Sequence, residues 1–187
     1  MKNRFPGISH VVYAEEMDST QTLAKNLAQD HAPSGTLVWA AQQSAGRGRM
    51  ERTWSSQKGG LYFSLILRPP FPPSQLAKLS LASAHAISRA ISHATGITTK
   101  INPPNDVYAK QGSHWKKLAG ILAEAAGNEK TIDWLIVGIG VNVNNPPPLD
   151  SAISIKALTH RSWKIELILS SILAEFQKNY ALIQGEN

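Results

Sequence analysis

The stretch QQSAGRGRMERTW, residues 42–54, concentrates groups that can bind an anion directly after the apolar run TLVWAA. Its charged and flexible positions are Arg47, Arg49, Arg52, Gly46 and Gly48. A guanidinium presents its N–H groups in a fork that matches the oxygens of a carboxylate or phosphate. Glycine permits close backbone approach and leaves a loop flexible when nothing is bound. We therefore predict a loop that is mobile over residues 44–53 and closes on an anionic ligand.

Three further stretches place polar groups beside predicted strands. PPNDVY has Asn105 and Asp106 at the start of a strand. KKLAGILAE has Lys116 and Lys117 before a strand of small residues, and GIGVNVNN ends a strand with paired asparagines. Taken singly, each stretch has a structural explanation: turn chemistry after proline, a solvated rim, or close packing of glycine.

The elements that must position these groups alternate between strands and helices. Strands are predicted over residues 9–17, 36–43, 60–68, 98–102, 106–110, 117–127 and 131–144. Helices are predicted over residues 21–31, 74–96 and 164–183, the first capped by DST and the last with Leu167, Ile168, Ile172 and Phe176 on one side. The late strands are joined by connections too short for crossover helices. This favours an α+β fold with a mixed, largely antiparallel sheet and helices mainly on one face.

Composition limits the classes of function. The 187 residues, 42% of them hydrophobic, suit a single domain with one core, which we expect to span residues 1–187. The absence of cysteine excludes disulfides and thiolate metal sites, and the six histidines lack metal-ligand spacing. Apolar runs are far shorter than the ~20 residues of a membrane span. We expect a cytoplasmic protein without membrane contact.

The net charge of +6 raises the question of nucleic-acid binding. The basic residues are scattered, however, and form neither a basic helix nor a helix-turn-helix pattern. We therefore expect no DNA partner.

Six motifs in a fixed order resemble the catalytic domain of biotin protein ligases over about residues 9–180. They are DST, QSAGRGRxxRxW, GLYFSLILRP, PPND, KKLAGILAE and VGIGVNVN. The resemblance implies a biotin/lipoate ligase-like α+β fold, ATP and biotin as substrates, and Mg²⁺. It implies formation of biotinyl-5′-AMP, followed by transfer of biotin to a lysine of a biotin carboxyl carrier protein.

The resemblance also implies roles for single residues. Arg47 and Arg49 would meet the carboxylate and phosphate, and Lys117, which directly precedes LAGIL, would stabilise the transition state. The implied biotin contacts are Ser19, Thr20, Gln43, Gly46, Arg47, Tyr62, Lys117 and Gly120, with Leu61 and Ile121 along the slot. The implied nucleotide contacts are Arg49, Trp54, Asn105, Asp106 and Asn142, and Asp106 would also reach Mg²⁺. From the residues alone, Ser19 or Thr20 could instead cap a helix, and Gln43 could be a solvated strand end.

Two departures from the family pattern concern the active site. Asn102 and Pro103 stand where the family usually has Lys-Trp before Pro-Asn-Asp, and Glu51 stands where glycine is common. Glu51 could pair with Arg49 or Arg52 and slow the ordering of the loop. These changes leave open a partly degenerate, non-catalytic biotin-binding relative.

Domain content and partners complete the expectations. Larger relatives carry an N-terminal winged-helix module and a C-terminal barrel, and we expect neither here. A homodimer remains open, because relatives often pair through their sheets. The alternatives are a lipoate or octanoyl ligase or transferase of the same fold and a basic binding module without catalysis.

Overall fold

A computed structural model describes residues 5–185 and consists of one seven-stranded sheet with helices on both faces. The strands are β1 (His10–Met17), β2 (Thr36–Gln43), β3 (Leu61–Leu67), β4 (Thr99–Asn102), β5 (Asp106–Gln111), β6 (His114–Gly127) and β7 (Ile132–Val141). The helices are α1 (Thr20–Gln29), α2 (Leu76–Thr95), α3 (Ile155–Thr159) and α4 (Ile165–Gly185), with a 3₁₀ turn at Pro73–Gln75.

The sheet is mixed and largely antiparallel, as predicted. Its strand order is β1-β2-β3-β7-β6-β5-β4. Only the β1–β2 pair is parallel, because α1 crosses between these two strands; every other neighbouring pair is antiparallel. The short turns of the second half therefore produce the antiparallel strands that their length predicted.

The two faces of the sheet are covered differently. Helices α2 and α4 pack on the face that carries Leu61, Phe63 and Leu65 of β3, and together they form the main hydrophobic core. Helix α1 covers part of the opposite face, where Ala24 and Ile66 belong to a smaller cluster. The prediction of helices mainly on one face is confirmed for the two long helices.

Helix α1 is fixed at both ends. At its start, the Ser19 hydroxyl oxygen accepts a hydrogen bond from the Thr22 backbone N–H at 3.4 Å, so the predicted cap is present. Beyond its end, the Arg68 guanidinium donates to the carbonyl oxygens of Ala28, Ala32 and Asp133. These contacts tie the helix to β3 and to the start of β7.

Two local predictions need correction, and one short helix was missed. Leu167 is 62% exposed, because neighbouring helical residues are about 100° apart and it cannot share the buried side with Ile168. Strand β6 begins at His114 instead of residue 117, since residues 114–117 extend a hairpin with β5 around Gly112, whose φ is 59°. The short helix α3 was not predicted.

Among residues 5–185, no helix is long and apolar enough to cross a lipid bilayer.

Candidate active site

Glycines on adjacent strands open the face of the sheet beside α1. Gly120 of β6 lies opposite Gly140 of β7, and Gly138 follows two residues earlier on β7. A Cβ atom at Gly140 would lie 2.5 Å from the Trp54 ring, and one at Gly120 would lie 2.8 Å from it. The missing side chains therefore create the space that the Trp54 ring and a cavity occupy.

The first cavity, which we call the sheet cavity, has a volume of ≈ 60 Å³ on this glycine floor. Its lining includes Ser19, Thr20, Gln21, Gln43, Arg47, Ser64, Lys117, Gly120, Ile121, Leu122, Gly138 and Gly140. This volume is below the range of about 300–1,000 Å³ that is common for small-molecule sites, because the Trp54 ring occupies part of the same floor. Six of the eight predicted biotin contacts line it: Ser19, Thr20, Gln43, Arg47, Lys117 and Gly120.

A second cavity, the loop cavity, opens beside the first between the loop of residues 44–53, which we call the arginine loop, and residues 147–152. All five predicted nucleotide contacts line it: Arg49, Trp54, Asn105, Asp106 and Asn142. The two cavities share Gly48, Arg49, Trp54, Asn105, Asp106 and Lys117. Two ligands bound in them would meet at these residues.

Lys117 lies at the junction because of a β-bulge. The register of β5 and β6 shifts between Val107 and Tyr108, which places Lys117 opposite Tyr108. Its Nζ lies 2.8 Å from Asp106 Oδ1 and 5.3 Å from the centre of the Trp54 ring. Lys116 lines neither cavity. Of the two lysines, only Lys117 is therefore placed to act on ligands in both cavities.

The arginine loop is folded over the cavities. Gly48 N donates to Arg52 O at 2.7 Å and Trp54 N donates to Gly46 O at 2.9 Å, closing a tight turn. Arg49 reaches across to donate to Asn105 Oδ1 at 2.8 Å. The mobility of this loop without ligand stays a prediction.

Glu51 does not pair as expected. It is exposed and forms no ion pair with any residue in the described range. It occupies the loop's turn with a φ of 59°, beside Met50 at 53°. The expectation of a pair with Arg49 or Arg52 is wrong, and the cost of Glu51 is instead a left-handed backbone that glycine would adopt more easily.

Ser19, Thr20 and Gln43 form the polar end of the sheet cavity, and hydrogen bonds hold it in place. Thr20 N donates to Gln43 Oε1 at 2.7 Å, and Gln43 Nε2 donates to Ser56 Oγ at 2.7 Å. Gln43 is therefore a bonded member of the site and not merely a solvated strand end. Ser19 does both things considered for it, since it caps α1 and also lines the cavity.

A network that sequence reasoning missed supports Arg47. The guanidinium donates to both oxygens of Glu124, at 3.1 and 3.3 Å. Gln21 Nε2 donates to Glu124 Oε2 at 2.7 Å, and Gln21 Oε1 accepts from the buried Ser64 hydroxyl at 3.0 Å. Gly138 has no side chain, and the Gln21 amide occupies the space where a Cβ atom would lie. Glu124 lies within the KKLAGILAE motif, Gly138 within GIGVNVNN and Ser64 within GLYFSLILRP, whereas Gln21 follows DST and lies in none of the motifs.

Three residues expected at the biotin slot lie elsewhere. Tyr62 is buried, its hydroxyl donates to the Gln57 carbonyl at 2.8 Å, and burial raises the pKa of the phenol. Gly46 packs against the backbone at Trp54, where a side chain would not fit. Leu61 belongs to the main core on the opposite face. Tyr62, Gly46 and Leu61 line neither cavity. Alternation along β3 places Leu61 on the opposite face, whereas Tyr62 shares the face of Ser64 but its hydroxyl is bonded to Gln57 outside the cavities.

The described part of the chain holds no group of three or more histidine, aspartate or glutamate side chains that could bind a metal ion. Asp106 Oδ1 accepts from Lys117 and, at 3.3 Å, from Asn105 Nδ2, which leaves Oδ2 for another ligand. One carboxylate fits a Mg²⁺ ion that is held mainly by substrate phosphates and water.

The sequence matches the biotin/lipoate A/B protein ligase family over residues 13–142, and the chain belongs to this family. It is 40% identical to the bifunctional ligase/repressor BirA of Bacillus subtilis, over 91% of this chain and 54% of that protein. It is 37% identical to the biotin–[acetyl-CoA-carboxylase] ligase of Paracoccus denitrificans, over 70% of this chain and 53% of that protein. The chain thus spans about half the length of these relatives.

Solved structures show the same fold. The biotin protein ligase of Aquifex aeolicus in complex with biotin and ATP superposes with a TM-score of 0.80 at 32% identity, over 96% of this chain and 74% of that one. The biotin protein ligase of Leishmania major in complex with biotinyl-5-AMP gives 0.76 at 26% identity, over 92% of this chain and 75% of that one. The seven-stranded sheet with its helices is the catalytic fold of these ligases.

Proposed function

We propose that this chain is an ATP-dependent biotin protein ligase. It forms biotinyl-5′-AMP and then transfers the biotinyl group to a lysine of a biotin carboxyl carrier protein. The observation that carries the proposal is the junction of two adjoining cavities, where Lys117 and Arg49 lie in the lining of both. Two solved ligases with this fold are complexes, one with biotin and ATP and the other with biotinyl-5-AMP, which supports the same ligands here.

Electrostatic repulsion contributes to the barrier of the first step. A carboxylate oxygen of biotin attacks the α-phosphorus of ATP, a new P–O bond forms, and the bond to the β-phosphate breaks to release pyrophosphate. Nucleophile and phosphate are both anionic, so cations fixed between them lower the barrier. Lys117 supplies such a charge, and Arg47, held by Glu124, faces the carboxylate from the sheet cavity. Mg²⁺ would neutralise the phosphates, with Asp106 as its one protein ligand.

The second step moves the acyl group to the acceptor. The neutral amine of the acceptor lysine attacks the acyl carbon, the bond from this carbon to the phosphate oxygen breaks, and AMP leaves while the amine loses a proton. The same cations stabilise the phosphate charge of AMP as it departs.

Biotin is favoured over lipoate by the polar end of the sheet cavity. Ser19, Thr20 and Gln43 line it, and Gln43 is held in place by Thr20 and Ser56. A ureido ring can pair with such groups, whereas the dithiolane of lipoate would leave them unpaired at ~1–3 kcal/mol per group. Comparable turnover of lipoate and biotin would contradict this assignment.

Other predictions from the sequence stay predictions. They concern a cytoplasmic location, a homodimer and the absence of a DNA partner. The Bacillus relative is named a ligase/repressor, and DNA binding by the present chain has to be measured directly.

The proposal is tested by incubating the protein with MgATP and labelled biotin or lipoate and measuring the acyl-adenylate and pyrophosphate. The wild type should make biotinyl-5′-AMP. Lys117→Ala should lower kcat by about 10²–10³ while biotin affinity changes little, because its charge acts mainly where negative charge gathers in the transition state.

Lys116→Ala is the matched control, since Lys116 is the neighbouring lysine outside both cavities. It should keep near-normal adenylation. If Lys116→Ala is the inactive variant, or Lys117→Ala stays active, Lys117 is not the catalytic lysine. If the wild type binds biotin but makes no adenylate, the chain is the non-catalytic relative.

A further inference from the structure

Two buried asparagines at the end of β7 form a directed pair. Asn142 is 4% exposed and Asn145 is 2% exposed. Val143 N donates to Asn145 Oδ1 at 3.1 Å, and Asn145 Nδ2 donates to Asn142 Oδ1 at 2.9 Å. The two amides thus form a chain that begins at a backbone N–H and ends at the edge of the loop cavity.

The backbone N–H fixes the direction of this chain. A backbone N–H can only donate, so the Asn145 atom that faces Val143 must be the amide oxygen. The Asn145 NH₂ group is then turned to Asn142, and it can only donate there as well. The atom of Asn142 that receives it must be the oxygen, which leaves the Asn142 NH₂ group at the other end.

The free end of Asn142 belongs to the loop cavity. Asn142 lines this cavity together with Arg49, Arg52 and Lys117. Its Nδ2 donates to no residue in the described range, yet it is not among the buried atoms that are sealed off without a partner. A hydrogen-bond donor is thus offered to a ligand among three cations, which suits the oxygen acceptors of a nucleotide.

We propose that Asn145 is a positioning residue for nucleotide binding, which holds the Asn142 amide with its NH₂ group toward the nucleotide in the loop cavity. This rests on the proposed function, because it takes the ligand of the loop cavity to be ATP. Asn145 itself does not line the cavity and acts only through Asn142.

Asn145→Asp tests the inference by changing one polar group. The ionised aspartate still accepts from Val143 N with one oxygen, but its second oxygen also only accepts. The Asn142 amide must then rotate to donate its NH₂ group to the aspartate, and it presents its oxygen to the nucleotide. The polar contacts of the fold stay satisfied while the group facing the ligand is inverted.

The expected result is a loss of about tenfold in ATP affinity, the size typical of one lost hydrogen bond to a ligand. Biotin affinity should be unchanged, and both affinities are measured by calorimetry. If Asn145→Asp does not fold, Asn145→Ser replaces it, since its hydroxyl can still accept from Val143 N but is too short to hold Asn142. Asn145→Ser should also lower ATP affinity, but by less than Asn145→Asp.

Asn144→Asp is the matched control. Asn144 also uses both ends of its amide, donating to Trp163 O at 2.8 Å and accepting from Trp163 N at 2.9 Å, and it lines neither cavity. The Asn144→Asp variant loses the same NH₂ group and gains the same charge one residue away from Asn145. The Asn142 amide stays in place. ATP affinity should stay within about twofold of the wild type, because Asn144 lines neither cavity and the Asn142 amide keeps its orientation.

Equal loss of ATP affinity in both variants, or no loss in Asn145→Asp, overturns the proposal. Because the measured quantity is ATP affinity, this test can fail while the proposed ligase activity holds, and the reverse. A wild type that binds ATP but makes no adenylate refutes the ligase function alone. A wild type that binds no ATP overturns both.

Discussion

The two faces of the central strands β3 and β7 carry different kinds of side chain. Along β3, Phe63 and Leu65 point into the main core, while Ser64 between them bonds to Thr20 and Gln21 beside the sheet cavity. Along β7, Val137 and Val141 belong to the core, and the intervening positions Gly138 and Gly140 line the cavity. Alternate residues of one strand thus fill the core on one face and line the cavity on the other.

The cavity therefore exists because small residues occupy one face of the sheet, where larger side chains would fill the space. One face is filled to the density of a protein interior and supplies most of the burial that stabilises the fold. The other face is lined by glycine and short polar residues, so that a ligand and the Trp54 ring can lie on the sheet itself. Changes on the first face should alter stability, and changes on the second should alter binding.

The largest expected effect is on the filled face. Phe63→Ala removes a side chain that is 1% exposed and should lower the free energy of unfolding by about 3–5 kcal/mol, through lost burial and the cavity left behind. Denaturation in urea measures it. Biotin affinity of the folded protein should stay near the wild-type value; a parallel loss of affinity would show that the two faces are coupled.

The opposite outcome is expected on the glycine face. Gly140→Ala places a methyl group 2.5 Å from the Trp54 ring and should weaken biotin binding by about 10- to 100-fold, which corresponds to the ~1–3 kcal/mol of overpacking. Stability should change little, since Trp54 directly follows residues 44–53, which we predict to be mobile, and its ring can shift with that loop. Binding is measured by calorimetry.

Gly112→Ala is the control for that substitution. Gly112 has a φ of 59° in the β5–β6 hairpin, and an added Cβ atom would meet nothing within 4 Å. It should lower stability through backbone strain and leave biotin affinity unchanged. Unaltered binding in Gly140→Ala would mean that the ligand does not lie on the glycine floor.

The smallest expected effect concerns Tyr62, which lies on the glycine face but outside both cavities. Tyr62→Phe removes the hydrogen bond from the hydroxyl to the Gln57 carbonyl and should lower the free energy of unfolding by about 0.5–1.5 kcal/mol. Thermal unfolding measures this loss. We expect unchanged biotin affinity, and a clear weakening would restore the role that the motif resemblance implied for this residue.

Much of the fold and part of the site could be predicted because they depend on local pattern. The period of apolar residues gave the strands and the long helices, and short connections gave the antiparallel pairs. The arginine loop stood out because Gly46, Gly48 and three arginines are adjacent in the sequence. Lys117 could be chosen over Lys116 from its motif, but the bulge that brings its Nζ to Asp106 leaves no local signal.

Neighbouring residues alone specify which strands form, their alternation of apolar and small residues, and the cationic loop that follows β2. Which distant groups meet depends on how the chain folds in three dimensions. It brings Glu124 to Arg47, Gln21 to Ser64 and Asn105 to Arg49, pairs separated by 77, 43 and 56 positions. It also turns Tyr62 away from the cavity. These choices depend on the order and register of the strands, and a one-residue change in register would move every side chain to the other face.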